Sequence, residues 1–186
     1  IKASQAMVDR PAERKAFFDR VDSLLSSFAE VPVPVIAAVG GVAHAGGLEL
    51  VLACDLVVAG QGARFGDLHL KHGRIPAWGG AGRLAGALGP WRAAGALLLP
   101  QVWSAGEMLE AGWVTAVSGV GELEDDVQAM AEHFATLDPG TLRAMKRLVA
   151  AQREAMLAPL LAIGKEHFDA FLAGPGMQSP PAGFAV

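Results

Sequence analysis

Cysteine is almost absent. Cys54 is the single one, so the chain can form no internal disulfide. It lies in the apolar run LELVLACDLVV, where a lone thiol reads as a small buried hydrophobe, and one unpaired cysteine fits a reducing, cytoplasmic setting. Charge is scarce too, at 18% of residues with a formal net of -4. No run of Lys and Arg could track a phosphate backbone, which argues against a nucleic-acid partner. No apolar stretch reaches the roughly 18–20 residues of a membrane span, because Glu49 and Asp55 interrupt the best candidate, so no membrane is expected. The first residues, IKASQAMVDRPAERK, lack the apolar centre of a signal peptide. Also missing are a GxSxG elbow, a GxxxxGK[ST] loop and an HExxH pair. Those absences weigh against the matching hydrolase and nucleotide-binding classes, and no metal is expected.

What is present is apolar: 52% of the 186 residues. That length suits one substantial core with a helical extension, and the apolar surplus predicts an oligomer interface beside the core. Residues 11–29 open on Pro11 and place Phe17, Val21, Leu24, Leu25 and Phe28 at helical spacing. Residues 32–39 form a continuous apolar run bracketed by prolines and by Gly40-Gly41, which reads as a strand buried on both faces. Gly46-Gly47 then lead a helix through Cys54, and 56–59 and 63–65 read as short strands, so strand, helix and strand alternate as in an α/β fold. Helices are expected after Gly79-Gly80, carrying Arg83, Leu84 and Leu88, and after Gly89-Pro90. Ser104 and Glu107 have capping-box spacing, with Gly112 as the stop of a short helix. Residues 122–137 and 141–172 continue as amphipathic helices, broken or kinked near Pro159. Strands are thus expected in the first half only, with an irregular Pro- and Gly-rich tail from about residue 174.

The stretch GGVAHAGGLE at 40–49 is the most informative. Glycines at a helix start let a ligand approach bare backbone, and the unpaired N–H groups and helix dipole there favour a negative oxygen such as an enolate. The same glycines also suit a tight strand-to-helix crossing. Glu49, in the first turn of that helix, can cap the helix, pair in the core, or act as a general base raised by burial. His44, His69 and His72 crowd the region; histidines in such places are surface or core residues more often than catalytic ones.

The order of these motifs resembles the crotonase superfamily, which includes the enoyl-CoA hydratases and isomerases. PVIAAVGG at 34–41 looks like the family's strand, and AGGLELVLACD at 45–55 like its oxyanion-hole helix. The likeness continues through ARFG at 63–66, GRIP at 73–76, Gly79-Gly80 and Arg83-Leu84, then 97–114, and runs from about residue 1 to 172. It implies a crotonase-like spiral of ββα units (residues 1–102) and a carboxy-terminal helical oligomerisation region (103–186) that builds a homotrimer or homohexamer. It implies an acyl-CoA substrate and no cofactor, since CoA is part of the substrate. Gly46 falls where the family supplies an oxyanion N–H, Glu49 on the first hydratase glutamate, and His44, Ala45, Leu68, Pro76 and Trp78 around the substrate pocket.

Two departures stand out. Where the family pattern FGxxE places a second glutamate, this chain reads Phe65-Gly-Asp-Leu-His69, so His69 takes the position of the second acid/base. Trp78 replaces a small residue of the IPGAGG-like loop, narrowing the acyl pocket. Ile1-Lys2 looks like the end of the AGADIK-like loop whose N–H completes the oxyanion hole; the amino-terminal part of the fold and the second oxyanion donor are expected to precede Ile1. The leading expectation is an enoyl-CoA hydratase/isomerase-type enzyme. One alternative is a β-diketone hydrolase using His69 and His44, against which Trp78 stands where an acidic partner is expected; another is an acyl-CoA-binding protein with little catalysis.

Overall fold

The computed structural model describes residues 10–174. The expected loop end at Ile1-Lys2 and the tail beyond Gly174 lie outside the described residues.

The chain opens on α1 (Pro11–Glu30), with proline at the helix start, where its missing N–H costs nothing. Pro32 and Pro34 keep the following segment out of the helix. Next come β1 (Ile36–Val39), β2 (Val42–His44), α2 (Gly46–Ala53), β3 (Leu56–Gly60) and β4 (Arg64–Gly66). A 3₁₀ turn (Leu70–His72) precedes α3 (Gly80–Leu88) and α4 (Pro90–Leu98). The remainder is β5 (Trp103–Ser104), α5 (Ala105–Glu110), β6 (Ala116–Ser118), α6 (Leu123–Thr136) and α7 (Pro139–Ala173).

Among the described residues the strands build two sheets of three, ordered β1-β3-β6 and β2-β4-β5. Pairing is parallel throughout the first sheet and between β2 and β4; only β4 and β5 run antiparallel. The first two turns, β1-β2 and β3-β4, each give one strand to the first sheet and one to the second before a helix returns the chain; β5 and β6 add the third strand of the second and first sheet, with α5 between them. This is a spiral of ββα units, as expected.

The core fills the space between these layers. Leu48, Val51 and Leu52 of α2 meet Val57, Ala59 and Phe65 from the strands and Leu84, Ala96, Ala105 and Met108 from the later helices. Phe65 is fully buried and meets Trp113 edge-on at 5.2 Å between centroids. Cys54 is buried with its Sγ on Leu50 O, as expected of a small hydrophobe.

Three expectations need correction. Strands are not confined to the first half, because β5 and β6 complete the two sheets. At two and three residues, both are too short to show a period in sequence. The run at 32–39 is not a doubly buried strand: only its last four residues pair, Ala38 is exposed, and Val39 alone is buried. β1 lies at one end of its sheet's order, with α6 packed against it. Finally, α7 is not broken at Pro159 but runs through it as a single 35-residue helix, packed on α3 and α1. The capping box is present, with Glu107 N–H donating to Ser104 Oγ and Ser104 N–H to Glu107 Oε2.

One polar cluster ties the layers together. Asp55, just past α2, accepts from Val35 N–H at 2.8 Å and from the Lys146 ammonium of α7, which also donates to Phe28 O at 2.9 Å. Arg153 donates to Cys54 O at 2.8 Å and lies 3.5 Å from Asp55 Oδ1. Lys146 is almost wholly buried, and its charge is matched on the spot.

Candidate active site

The site begins where β2 turns into α2. Ala45 occupies φ 50, ψ -119, the only non-glycine with positive φ among the described residues. A residue bearing a Cβ is strained there, at a cost of about 1–3 kcal/mol. Its N–H donates to Gly66 O at 3.0 Å, which pins the turn to the end of β4. Gly46 is the first residue of α2, so its N–H has no acceptor in the helix ladder. A Cβ on Gly46 would stand 2.8 Å from the Trp78 ring, so only glycine lets the indole lie against the helix start; Gly47 has open space.

Glu49 emerges from this first turn and is 0% exposed. Its Oε1 accepts from Trp78 N–H at 2.7 Å and Gly80 N–H at 2.9 Å. Gly79, the N-cap of α3, has no side chain to offer, so Glu49 supplies from another helix the acceptor that a capping residue would. Gly80 is required for this approach, since a Cβ there would fall 2.9 Å from Glu49 Cγ and Oε1. The other oxygen, Oε2, is buried without a hydrogen-bond partner and faces His69 Nε2 at 3.6 Å. Burial raises the Glu49 pKa above the usual glutamate value; His69 and the two N–H donors oppose this, and Asp67 adds to it.

His69 is supplied by the loop after β4 and is 8% exposed. Its Nδ1 lies 3.1 Å from both Asp67 oxygens, and its own N–H donates to Asp67 Oδ1 at 3.2 Å. Its carbonyl accepts from His72 N–H and Arg74 N–H, which fixes the loop. Asp67, Nδ1, Nε2 and Glu49 Oε2 thus form one line.

The sequence placed Glu49, His69 and Gly46 in this region, and the structure brings the first two together beside the third. Asp67 was missed. Its signal was the D-x-H spacing directly after a strand, where a short carboxylate turns back on the residue two positions later. The predicted pocket residues divide. Pro76 lines a mainly apolar cavity of about 400 Å³ with Ile75, Leu97, Leu160 and Ile163, and Asp67 contributes to its wall. Trp78 lines another, of about 390 Å³, with Phe18 and Phe168 and with Lys15, Arg83 and Lys165 set among four acids. Its ring packs on Phe17 and Phe18 at 6.1 and 5.6 Å between centroids, and its Nε1 is buried without an acceptor. His44 and Leu68 lie around Gly66. Burial, with Lys71 second, lowers the His44 pKa. His44, Ala45 and Leu68 line neither cavity. Among the described residues no group of three or more His, Cys, Asp or Glu is placed to hold a metal ion, and no helix is long and apolar enough to cross a membrane.

A sequence model of the Enoyl-CoA hydratase/isomerase family matches residues 3–185. The chain belongs to this family. Within the crotonase superfamily it is 40% identical over 124 residues to a protein of Dictyostelium discoideum named "Probable enoyl-CoA hydratase, mitochondrial", covering 67% of this chain and 45% of that one. It is 34% identical over 136 residues to a "Probable enoyl-CoA hydratase" of Mycobacterium leprae, covering 73% of this chain and 53% of the relative. The chain thus spans about half the length of these relatives. The crystal structure of an enoyl-CoA hydratase from Mycobacterium avium subsp. paratuberculosis superposes with a TM-score of 0.81 at 29% identity, covering 88% of this chain and 66% of that one. The crotonase fold therefore holds at the level of coordinates as well as motifs.

Proposed function

We propose that this family member acts on acyl-CoA thioesters as an enoyl-CoA hydratase/isomerase-type enzyme, with Glu49 and His69 as its two acid/base groups. The observation that carries the reading is the buried, unpartnered Glu49 Oε2 set 3.6 Å from His69 Nε2 beside the start of α2. Two basic atoms so placed can both reach one water oxygen. The thioester oxygen would sit against the Gly46 N–H at the positive end of α2, where enolate charge is stabilised.

In the hydration direction, ionised Glu49 takes a proton from water as the oxygen bonds to the β-carbon. The π electrons pass to the α-carbon and thioester oxygen, and protonated His69 delivers its Nε2 proton to the α-carbon. The substrate has then gained one water, and the site is left with Glu49 protonated and His69 neutral. Transfer of that proton from Oε2 to Nε2 restores the start. No metal or redox cofactor enters, because the steps are proton transfers and CoA belongs to the substrate. For assembly we propose a trimer or a pair of trimers built through the helical region at 103–186, supported by exposed apolar side chains there such as Leu109, Val120, Met145 and Leu148.

The test is incubation of the complete gene product with a panel of enoyl-CoA thioesters, read by mass spectrometry. A gain of one water is expected; double-bond movement at constant mass would establish the isomerase branch. Asp67 also favours a second reading, carbon–carbon bond hydrolysis of a β-diketone, since it gives His69 the acidic partner that the Trp78 position lacks. Cleavage of a CoA-free β-diketone, with thioesters left intact, would establish it. Silence toward every substrate would leave an acyl-CoA-binding role.

A further inference from the structure

We infer that Asp67 is a positioning residue that fixes His69 in the Nδ1–H tautomer, leaving Nε2 as the nitrogen that exchanges protons in an Asp67–His69–Glu49 line. Asp67 is 1% exposed, and both its oxygens stand 3.1 Å from His69 Nδ1. An ionised carboxylate only accepts hydrogen bonds, so the ring nitrogen facing it must carry the proton. The second bond, from the His69 N–H to Oδ1, holds the carboxylate to the same residue and keeps it from turning away. When the imidazole is neutral, Nε2 is therefore the bare nitrogen, directed at Glu49 Oε2. The reverse tautomer would set a lone pair against both Asp67 oxygens at 3.1 Å, whereas the Nδ1–H form meets Glu49 Oε2 only at 3.6 Å, the weaker of the two unfavourable contacts.

This deepens the reading of His69 as an acid/base group and rests on it for its functional meaning. It also separates this site from a pair of carboxylates. A glutamate at position 69 would need no partner to choose between its two equivalent oxygens, whereas an imidazole has two inequivalent nitrogens and needs one. The ionisable groups around His69 are Glu49 from α2, Asp67 from its own loop and His72 from the following turn. Of these, Asp67 alone holds Nδ1.

The experiment reads the tautomer directly in the full chain. Protein labelled with ¹⁵N-histidine is examined by long-range ¹H–¹⁵N correlation at a pH where His69 is neutral, its signals being assigned by their loss in His69→Gln. The expected result is a protonated Nδ1 and a bare Nε2 in the unmodified protein, with the preference lost in Asp67→Asn and Asp67→Ala. A protonated Nε2 in the unmodified protein overturns the inference without any variant, as does an unchanged tautomer in both variants. In turnover, Asp67→Asn should lower kcat by about 10²-fold with little change in KM and move the limb of the pH profile that belongs to His69. Asparagine facing a catalytic histidine acts in this way, through the wrong tautomer, in serine proteases. Failure of the acyl-CoA reading would appear separately, as no turnover of any thioester alongside the expected tautomer.

Discussion

A carboxylate stands at each end of helix α2, Glu49 buried in its first turn and Asp55 half-buried just past its last, and the two are treated in opposite ways. Asp55, just past the carboxy-terminal end, is fully engaged: one oxygen takes Val35 N–H and Lys146, and the other faces Arg153. Glu49, in the first turn, is half engaged, with two N–H donors on Oε1 and none on Oε2. A carboxylate that serves the fold has its charge matched on every side. Under the proposed reading Glu49 is held firmly by one oxygen and left open at the other, and the unmet group is the cost of that readiness.

Breaking the Asp55 end should have the largest effect. Asp55→Ala leaves Lys146 buried without its counter-charge and should lower stability by about 3–5 kcal/mol, measured by urea unfolding; a loss near zero would erase the contrast between the two ends. Glu49→Gln should lower the rate on thioesters by about 10²–10⁴-fold while the chain stays folded, because the amide oxygen can keep both N–H donors. The sign with pH follows from burial. A Glu49 pKa raised in the folded state means that the native protein holds a proton the unfolded chain has released. Native stability then falls as pH rises from the usual glutamate value toward the folded one. Glu49→Gln removes that decline, so the variant should match the parent at low pH and exceed it above; parallel stability curves would contradict the assignment.

A smaller effect is expected from Gly80→Ala, whose methyl would press on Glu49 Cγ and Oε1. It should cost about 1–3 kcal/mol and lower the rate by moving Oε2 away from His69; unchanged turnover would show that the 3.6 Å spacing does not matter. The smallest belongs to Arg153→Met at the outer edge of the Asp55 cluster. This side chain is a third exposed and its carboxylate contact is long, so about 1 kcal/mol is expected; a loss as large as that of Asp55→Ala would make Arg153, and not Lys146, the main partner.

Much of this was legible in sequence because it depends on local pattern. The glycine pair ahead of an apolar helix located α2, the capping box marked α5, Glu49 drew notice as an ionisable group in apolar sequence, and His69 as the residue at the second-glutamate position of the family pattern. What escaped depends on pairing across distance. β5 and β6 are strands only because β4 and β3 lie alongside, and two or three residues carry no period of their own. Continuity of α7 through Pro159 comes from the helices packed on it. Sequence offered capping or base as alternatives for Glu49; Oε1 caps a helix that begins 31 residues later, and Oε2 is left free for the proposed base. Asp67 lay in plain view, two residues before His69, but its meaning required the ring orientation.

That division has a consequence for how related sequences diverge. A lineage that lost its chemistry would still need an acceptor at the start of α3, so folding alone would retain a side chain of this length and shape at position 49. Glutamate there is therefore compatible with an idle site. Glutamine would serve the cap equally and supply no base to the proposed reaction, so glutamine at this position would mark a site that has stopped working, whereas glutamate alone would not mark one at work.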